Sequence, residues 1–308
     1  MHYSVLLQES INLLAIKPDG VYIDGTFGRG GHSREILAQL NTNGRLIAFD
    51  KDPQAIEFAQ QNFLDPRFSI IHDSFANLEL HLTNLNLAYV DGILLDLGVS
   101  SPQLDTPERG FSFRFNAPLD MRMNYTDGIS AAQWLNAASE AELAEVFWLY
   151  GEEKFSRKIA KAIVEFRATQ QLETTEQLAN LIARVISYKE KGQHPATRVF
   201  QAIRIHINNE LGDLKLGLQV GVKKLNQQGR MVVISFHSLE DRIVKQSFNQ
   251  YASSVAKQLP RWVMINDDAQ EYEIIAKKHK ASISEINLNN RSRSAIMRAI
   301  ERKYVKNC

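Results

Sequence analysis

The sequence predicts an α/β fold in which a Rossmann-like, mostly parallel sheet carries an inserted all-helical domain. Three observations support this prediction. Short apolar segments alternate with helical patterns over the first hundred residues, a glycine-rich turn joins the first apolar segment to a helix, and a wholly helical block interrupts the alternation before it resumes. Strands that alternate with helices favour a parallel sheet whose two faces are both covered by helices.

Four strands are predicted in the first hundred residues, and helices separate them. The predicted strands are Val21–Asp24, Leu46–Asp50, Phe68–His72 and Gly92–Leu97, and the predicted helices are Ser33–Leu40, Pro53–Phe63 and Asn77–Leu85. The carboxyl ends of parallel strands meet at one edge of the sheet, where ligands of such folds bind. We therefore expect the strand-end residues Asp24, Asp50 and Asp96 to lie at a ligand-binding edge.

The rest of the chain divides into a loop, a helical insertion and a return to the α/β pattern. Residues 100–127 show neither period and predict a structured loop over a site, whereas residues 131–188 carry apolar side chains at helical spacing. One long helix is predicted over residues 196–225, followed by a strand at 230–236, a helix from Leu239, and terminal strands at 272–278 and 294–303. The predicted sheet domain comprises residues 1–107 and 205–308, and the inserted domain comprises residues 108–204.

The run from Asp24 to Ser33, DGTFGRGGHS, is typical of a nucleotide-cofactor loop between a strand and a helix. Glycine tolerates positive φ angles and allows close approach of a ligand, and the helix start offers unpaired amides. Asp50 ends the second strand at about the 20-residue distance where a carboxylate can bind ribose hydroxyls. The loop and this acidic residue together predict a site that includes Gly28, Gly30 and Asp50.

The details of the loop favour S-adenosylmethionine over a dinucleotide. A dinucleotide site has the pattern G-x-G-x-x-G, but Ser33 stands at the third glycine position. Asp24 would repel a pyrophosphate, whereas it could hold an ammonium group directly or through water. S-adenosylmethionine carries an α-amino group, a sulfonium and a ribose, and it has no phosphate.

Composition limits the classes of protein to which the chain can belong. The chain has 308 residues, of which 44% are hydrophobic and 23% are charged, and its net charge is +1. No segment approaches the roughly 18 apolar residues that predict a membrane span, and no signal peptide is evident, so a cytoplasmic location without a membrane partner is expected.

The single cysteine, Cys308, is the last residue of the chain. It excludes a disulfide framework and a cysteine-based zinc site within the monomer, and we expect no metal. Methylation of a pyrimidine at carbon 5 generally needs a thiolate, and a C-terminal residue is a poor candidate for that role. Transfer to nitrogen or oxygen is therefore favoured.

Positive charge is clustered although the net charge is small. Three clusters are Lys154, Arg157, Lys158, Lys161 and Arg167; Lys189, Lys191, Arg198 and Arg204; and Lys277, Lys278, Lys280, Arg291, Arg293, Arg298 and Arg302. One such run is usually a solvated helix face. Three runs beside a cofactor fold favour a polyanionic substrate.

Further motifs follow the predicted strand ends. Residues 91–105, DGILLDLGVSSPQLD, place Asp96, Ser100, Ser101 and Gln103 in or after the fourth strand. Residues 108–123 combine arginines with aromatic rings, a mixture that binds phosphate and stacks on bases. Two later segments are HPATRVFQAIR at 194–204 and SFHSLEDR at 235–242.

Read together from HYSVLL at 2–7 to RSRSA at 291–295, these segments resemble the bacterial small-subunit ribosomal RNA (cytosine-N4) methyltransferase family, also called MraW or RsmH. The resemblance covers nearly the whole chain. It implies a class I S-adenosylmethionine-dependent methyltransferase fold, an inserted helical domain, and a cytidine in the decoding region of 16S ribosomal RNA as the target, within the small ribosomal subunit. Two departures are Asn116, where the family usually has aspartate, and residues 225–229, which lack the usual Pro-Gly-Gly turn.

The resemblance also implies roles for individual residues. The cofactor contacts implied by the family motifs are Gly30, Gly31, His32, Asp50, Phe75, Asp96 and Gln103. Candidate RNA contacts are Arg109, Arg114, Arg122 and Arg198, and each of them could equally be a solvated surface residue.

The chemistry predicts an acceptor for the target amine. The lone pair of cytosine N4 is delocalised into the ring, and an acceptor that binds an amine hydrogen favours the localised form that attacks. Asp96 is the candidate, with Ser100 and Ser101 as further acceptors and His237 as a contact to the base or a phosphate. A capping carboxylate at Asp96 and a structural histidine at His237 remain open.

Alternative functions also remain open. The chain could be an assembly factor that binds S-adenosylmethionine or RNA without catalysis, a methyltransferase that acts on DNA or protein, or an NAD-dependent oxidoreductase. The last reading requires the imperfect third glycine position and leaves the arginine–aromatic loop unexplained.

Overall fold

The computed structural model describes residues 4–186, 194–253 and 271–304. The chain divides into two compact units, Met1–Gly98 with Leu211–Cys308, and Val99–Glu210. These boundaries differ from the sequence prediction by 9 residues at the first boundary and 6 at the second, since the second unit already begins directly after the fourth strand. Cys308, Lys189, Lys191 and the first two residues of the HYSVLL motif lie outside the described residues.

Seven strands of the first unit form one sheet, which is mostly parallel. The strands are β1 (Val21–Asp24), β2 (Arg45–Asp50), β3 (Phe68–His72), β4 (Val90–Asp96), β5 (Leu225–Ser235), β6 (Tyr272–Lys280) and β7 (Ile296–Arg302). Their order is β3-β2-β1-β4-β5-β7-β6. The first five are mutually parallel, whereas β7 runs antiparallel to β5 and β6. The predicted Rossmann-like sheet and both terminal strands are therefore confirmed.

Thirteen α-helices occur in the described ranges. They are α1 (Leu7–Leu14), α2 (Gly31–Gln39), α3 (Pro53–Asn62), α4 (Leu78–Asn84), α5 (Ser101–Asp105), α6 (Ala131–Ala137), α7 (Glu140–Gly151), α8 (Ser156–Arg167), α9 (Thr175–Val185), α10 (Thr197–Ile207), α11 (Glu210–Lys223), α12 (Ser238–Ala252) and α13 (Ile283–Leu288). The three helices predicted between the first four strands are α2, α3 and α4, each within two residues of its predicted bounds.

The sheet is buried on both faces because its strands are apolar at odd and even positions alike. Successive side chains of a strand point to opposite faces. One face carries Ile23, Ile47, Ile93 and Val233, packed with Leu214 of α11 and Phe248 of α12. The other carries Tyr22, Leu46, Leu94 and Val232, packed with Leu14 of α1 and Ile36 of α2. Burial of a side chain of this size stabilises the fold by roughly 1.5–3 kcal/mol. The two apolar layers therefore hold the strands, and with them the strand ends, in place.

The edge formed by the carboxyl ends of the strands carries the predicted acidic residues. Asp24 ends β1, Asp50 ends β2 and Asp96 ends β4. Parallel pairing of β1 with both neighbours brings these ends to one edge, at the point where the strand order reverses. This is the position at which such sheets bind ligands.

The second unit is helical and has its own core. Trp134, Phe147, Ile159, Leu178 and Ile203 are buried in one cluster to which α6 to α10 contribute. The helical block predicted over 131–188 is confirmed as far as residue 186. The preceding loop is more regular than predicted, because α5 and a 3-10 turn at Pro107–Arg109 lie within it.

Two predicted bounds were wrong near the return to the sheet. The single helix predicted over 196–225 is two helices, α10 and α11, because Asn209 adopts a left-handed conformation with φ of 50°. Asparagine tolerates this conformation better than most residues. Strand β5 begins at Leu225 instead of Arg230, and its first half contains Gln228 with φ of 60°.

Candidate active site

The glycine loop between β1 and α2 is held by short backbone contacts. Phe27 N donates to Phe49 O at 3.0 Å, and Gly30 N donates to Phe27 O at 2.7 Å. Gly30 has φ of 70°, a conformation that glycine adopts without strain. At Gly31 a Cβ atom would overlap the side chain of Ser4, so the residues before α1 lie directly on the loop.

Asp50 is bound to the glycine loop as well as to its own turn. Its Oδ2 accepts from Gly28 N at 2.7 Å, and its Oδ1 accepts from Asp52 N at 2.9 Å. Burial raises the pKa of Asp50 to about 6, although both amide hydrogen bonds oppose the shift. Each carboxylate oxygen has a second lone pair, so the predicted contact with ribose hydroxyls stays chemically open.

Asp24 is almost completely buried and is hydrogen-bonded within the protein. It is 1% exposed, its Oδ2 accepts from Ser33 Oγ at 2.7 Å, and its Oδ1 accepts from Thr26 N at 3.1 Å. Burial raises the pKa of Asp24 to about 6, against the hydrogen bond from Ser33. Asp24 thus joins the glycine loop to α2 through hydrogen bonds. Its contact with an ammonium group remains a prediction.

Asp96 is more accessible than Asp24. Its backbone N donates to Thr26 Oγ1 at 2.7 Å, and its side chain is 24% exposed. Its Oδ1 is buried without a hydrogen-bond partner among the described residues. Desolvation raises the pKa of Asp96 well above its usual range, and the charges of Asp24 and Glu240 act in the same direction. An unpartnered buried oxygen is costly, which indicates a site shaped for a ligand.

His32, in the first turn of α2, lies between the N-terminal segment and Asp96. Its Nε2 is 3.1 Å from the carbonyl oxygen of Val5, and its Nδ1 is 3.8 Å from Oδ2 of Asp96. The residue is 5% exposed, and burial lowers the pKa of His32 to about 4. The imidazole is therefore neutral at neutral pH.

Negative charge at this edge has no basic counterpart in the described residues. Within residues 4–186, 194–253 and 271–304, no Lys or Arg nitrogen lies within 4.0 Å of the strand-end carboxylates, which we define as Asp24, Asp50 and Asp96. Other aspartates of the first unit are paired with a base, among them Asp213 with Lys51 and Asp241 with Arg298. The edge is thus suited to a cationic ligand and unsuited to a pyrophosphate.

Phe75 follows β3 in a 3-10 turn and is half-buried. A Cβ atom at Gly25 would lie 3.1 Å from the Cβ of Phe75, and one at Gly217 would overlap its ring. Two glycines therefore make room for the aromatic side chain beside the ends of β1 and β3. Packing of this ring on adenine stays a prediction.

His237 was predicted to contact the base or a phosphate, and that contact stays a prediction. It is the N-cap of α12, its side chain is 11% exposed, and its Nε2 lies 3.2 Å from Oε1 of Glu240. Both ring nitrogens are buried, and neither has an aligned hydrogen bond to another described residue. Glu240 is 2% exposed, and its Oε2 accepts from Phe236 N at 2.8 Å and His237 N at 3.3 Å. The pair lies at the turn after β5.

Ser100, Ser101 and Gln103 belong to the second unit. Ser100 and Gln103 form a reciprocal capping box at the start of α5, in which Ser100 N donates to Gln103 Oε1 at 2.9 Å. Gln103 is 4% exposed. The hydroxyl of Ser100 thus serves the helix start, which differs from the predicted acceptor role, while the roles of Ser101 and Gln103 stay predictions.

The arginine loop, defined here as residues 108–123, uses two of its arginines internally. Arg109 is 6% exposed, it donates to the carbonyl oxygens of Arg122 (3.0 Å) and Met123 (2.8 Å), and its guanidinium lies 5.1 Å from the ring centre of Tyr125. Burial therefore withdraws this side chain from solvent in this conformation, and its contact with RNA stays a prediction.

The other three candidate RNA contacts differ in their surroundings. Arg122 pairs with Asp120, with Nη2 at 2.6 Å from Oδ2, and donates to the carbonyls of Asp127 and Gly128. Arg198 is half-buried, whereas Arg114 is exposed. Arg114 is thus the one of the four whose side chain is open to solvent, and its contact with RNA stays a prediction.

Three participants were missed by the sequence reasoning: Val5, Thr26 and Glu240. A signal existed for Glu240, since it stands three residues after the N-cap, at the capping-box position. No sequence signal points to the carbonyl of Val5, which acts through its backbone.

Metal ligands and membrane-spanning helices were sought in the described residues. Within these residues, no cluster of three or more His, Cys, Asp or Glu residues is placed to hold a metal ion. In the same ranges, none of the helices combines the length and apolarity needed to cross a membrane.

Proteins with similar sequences are known. The model of the MraW methylase family matches residues 1–303. The chain is 53% identical over 306 residues to ribosomal RNA small subunit methyltransferase H of Chromobacterium violaceum, with 98% of this chain and 95% of that one covered. It is 53% identical to the protein of the same name from Pseudoalteromonas atlantica, with 98% of each chain covered.

Solved structures resemble the chain more distantly. An rRNA methylase from Streptococcus thermophilus is 11% identical with a TM-score of 0.39, and 99% of each chain is covered. A SAM-dependent O-methyltransferase from Thermotoga maritima is 10% identical with a TM-score of 0.39, covering 100% of this chain and 69% of that one.

Proposed function

The chain belongs to the MraW methylase family, and from that membership we propose that it transfers a methyl group from S-adenosylmethionine to the exocyclic N4 of a cytidine in the decoding region of 16S ribosomal RNA. The family resemblance stated from the sequence is confirmed, as are the class I methyltransferase fold and the assignment as an S-adenosylmethionine-dependent methyltransferase. The target atom, the assembled small subunit as substrate and a cytoplasmic location remain parts of the proposal.

One observation from the structure supports the donor most directly: the strand-end carboxylates have no lysine or arginine partner among the described residues. S-adenosylmethionine brings two positive groups, the sulfonium and the ammonium, whereas a dinucleotide brings a negative pyrophosphate. A buried carboxylate without a counter-charge is unfavourable until a cation neutralises it. The residues present therefore fit this donor.

Three parts of the site would hold the donor. Asp50 would bind the ribose hydroxyls, the loop at Gly30 and Gly31 would admit the donor close to the backbone, and Phe75 would pack on the adenine. When bound, the donor supplies an electrophilic methyl group on a positively charged sulfur, and that charge favours the ionised form of Asp96.

Asp96 would orient the nucleophile. An ionised Oδ2 accepts a hydrogen from the N4 amine and favours the localised lone pair. Positioning of two bound reactants supplies up to about 7–11 kcal/mol in favourable systems. Asp96 would thus act mainly by fixing the direction of attack.

The test is transfer of labelled methyl from S-adenosylmethionine to small ribosomal subunits isolated from cells that lack this enzyme, followed by nucleoside analysis. The proposal predicts label in N4-methylated cytidine. Free 16S ribosomal RNA, DNA and bulk protein serve as parallel acceptors.

Absence of label in cytidine, with donor binding demonstrated and intact subunits, would overturn the proposed substrate. Label in DNA or protein would then identify another acceptor. Donor or RNA binding without label in any acceptor would identify an assembly factor without catalysis.

A further inference from the structure

His32 joins the N-terminal segment to the carboxylate that the proposed function uses. Its two ring nitrogens face different partners: Nε2 faces the carbonyl of Val5 at 3.1 Å, and Nδ1 faces Oδ2 of Asp96 at 3.8 Å. The ring is buried at the first turn of α2, where its position is fixed. Two acceptor-type atoms, one from imidazole and one from carboxylate, therefore lie next to each other at the ligand edge.

The carbonyl of Val5 determines which nitrogen carries the hydrogen. A carbonyl oxygen only accepts hydrogen bonds, so Nε2 must be the protonated nitrogen in the contact with Val5. The pKa of His32 is lowered to about 4 by burial, which keeps the ring neutral at neutral pH. A neutral ring with its hydrogen on Nε2 has a bare lone pair on Nδ1.

The N-terminal segment that supplies this carbonyl is seated on the loop. The side chain of Ser4 occupies the space that a Cβ atom at Gly31 would need. Val5 is 7% exposed and belongs to the same buried cluster as Ile36 of α2. The contact between Val5 and His32 is thus part of a packed surface, and the tautomer is set by the fold.

The lone pair on Nδ1 lies beside an oxygen that also accepts. When the charge of the bound donor favours the ionised form of Asp96, two acceptors lie 3.8 Å apart with no hydrogen between them. This arrangement is unfavourable by itself and becomes favourable when a group with two hydrogens lies beside both atoms and donates one hydrogen to each. An exocyclic amine is such a group, since its two hydrogens can point to two acceptors at once.

We propose that His32 is a second catalytic residue, whose Nδ1 accepts one hydrogen of the target amine while Oδ2 of Asp96 accepts the other. This inference rests on the proposed function, because it assumes an amine as the methyl acceptor. With both hydrogens held, the lone pair of the amine nitrogen is directed away from the base plane. An enzyme acting on a hydroxyl would have no use for the second acceptor.

The proton balance follows from the same pair. The amine nitrogen forms a bond to the methyl carbon, and the carbon–sulfur bond breaks with its electron pair left on sulfur. The nitrogen then loses one hydrogen as a proton to Oδ2 of Asp96, and the N-methylated base leaves as a neutral product. His32 keeps the remaining hydrogen bond and stays neutral throughout.

Two substitutions separate the roles of the two ring nitrogens. In His32→Gln the side-chain amide nitrogen can take the place of Nε2 and donate to Val5, but no acceptor remains at Nδ1. In His32→Asn the side-chain oxygen can take the place of Nδ1, but the contact with Val5 is lost. The two variants therefore serve as controls for each other, because each removes one function of the ring.

The proposal predicts that His32→Gln keeps the unfolding temperature and the KM for small subunits close to wild type while kcat, measured at saturating S-adenosylmethionine, falls at least about 100-fold, the low end for a positioned acid or base. His32→Asn is expected to lose stability and to keep more of kcat than His32→Gln. Wild-type kcat in His32→Gln, or a kcat that falls only in step with stability in both variants, would overturn the proposal.

A measurement on the free protein is independent of activity. Nitrogen-15 NMR of the histidine rings is expected to show His32 with hydrogen on Nε2 and none on Nδ1 at neutral pH, and a change in the Nδ1 shift in Asp96→Asn. A hydrogen on Nδ1, or a charged ring, would overturn the proposal even if a variant does not fold. Failure of the wild-type enzyme to methylate any cytidine would instead overturn the proposed function.

Discussion

The strand-end carboxylates and the arginine loop carry opposite charges, and the fold uses these charges in opposite ways. Asp24, Asp50 and Asp96 have no lysine or arginine partner in the described part of the chain. In the arginine loop, Arg109 and Arg122 bind backbone carbonyls and Asp120 inside the second unit. Charge left uncompensated by the fold therefore marks a ligand site better than a dense run of charged residues does.

The largest effect is expected at Asp50. Asp50→Ala removes the acceptor of Gly28 N and Asp52 N together with the predicted ribose contact. Hydrogen bonds to charged groups are worth about 1.5–3 kcal/mol each, so the donor dissociation constant should rise by about 100-fold or more. Isothermal titration calorimetry measures it, with Asp50→Asn as the near-isosteric control. Unchanged donor affinity in Asp50→Ala would remove this carboxylate from the donor site.

Arg109 is buried in the arginine loop and Arg114 is exposed. Replacing each of them tests whether the buried arginine stabilises the fold. Arg109→Ala leaves two buried carbonyls without their donor and should lower the free energy of unfolding by about 2–4 kcal/mol. Arg114→Ala, at an exposed position, should change it by less than about 0.5 kcal/mol. Chemical denaturation measures both values. If Arg114 binds RNA, its replacement also makes the affinity for small subunits less dependent on salt. A stable Arg109→Ala protein with weakened RNA binding would restore Arg109 as a contact.

The pH dependence of stability tests the uncompensated carboxylates. The pKa of Asp24 is raised from 3.8 to about 6, so the folded state binds this proton more tightly than the unfolded chain does. The stabilisation by the neutral carboxyl is complete below about pH 4 and is lost as the pH rises through about 6, which amounts to at most about 3 kcal/mol.

In Asp24→Asn this dependence is absent, so the unfolding free energy of the variant minus that of wild type should increase between pH 4 and pH 7. Urea denaturation at several pH values gives this difference. A flat difference would mean that Asp24 is not desolvated in the folded protein.

The smallest effect is expected at Ser100. Loss of its capping box in Ser100→Ala should cost about 1 kcal/mol of stability. Since the hydroxyl serves the start of α5, kcat measured at a temperature where both proteins are folded should stay near wild type. A fall in kcat without a loss of stability would support the acceptor role that was predicted from the sequence.

Much of the fold could be predicted because its signals are local. The five strands that flank the ligand edge are apolar segments next to glycine or aspartate, and the bounds of β1 and β3 were predicted to the residue. The break between α10 and α11 was missed because no glycine or proline marks it, and Asn209 alone adopts the left-handed conformation.

The candidate site was predicted less completely because hydrogen-bond partners are non-local. Asp96 and His32 were identified from motifs, but Val5 and Thr26 contact them through a backbone carbonyl and a hydroxyl that no motif distinguishes. The contact of His237 with Glu240 and the packing of Arg109 against Tyr125 and the backbone at 122–123 were likewise not predicted. Sequence supplied the candidate residues of the site, whereas their burial and their hydrogen-bond partners required the packed structure.

The most direct test of the account is a paired measurement on Asp96→Ala: S-adenosylmethionine affinity by titration calorimetry and methyl transfer to unmethylated small ribosomal subunits. We predict that much of the donor affinity remains while transfer is lost by about 100-fold or more, because Oδ2 of Asp96 orients the amine. An equal loss of donor affinity and transfer would contradict it and would make Asp96 a donor ligand without a part in the chemical step.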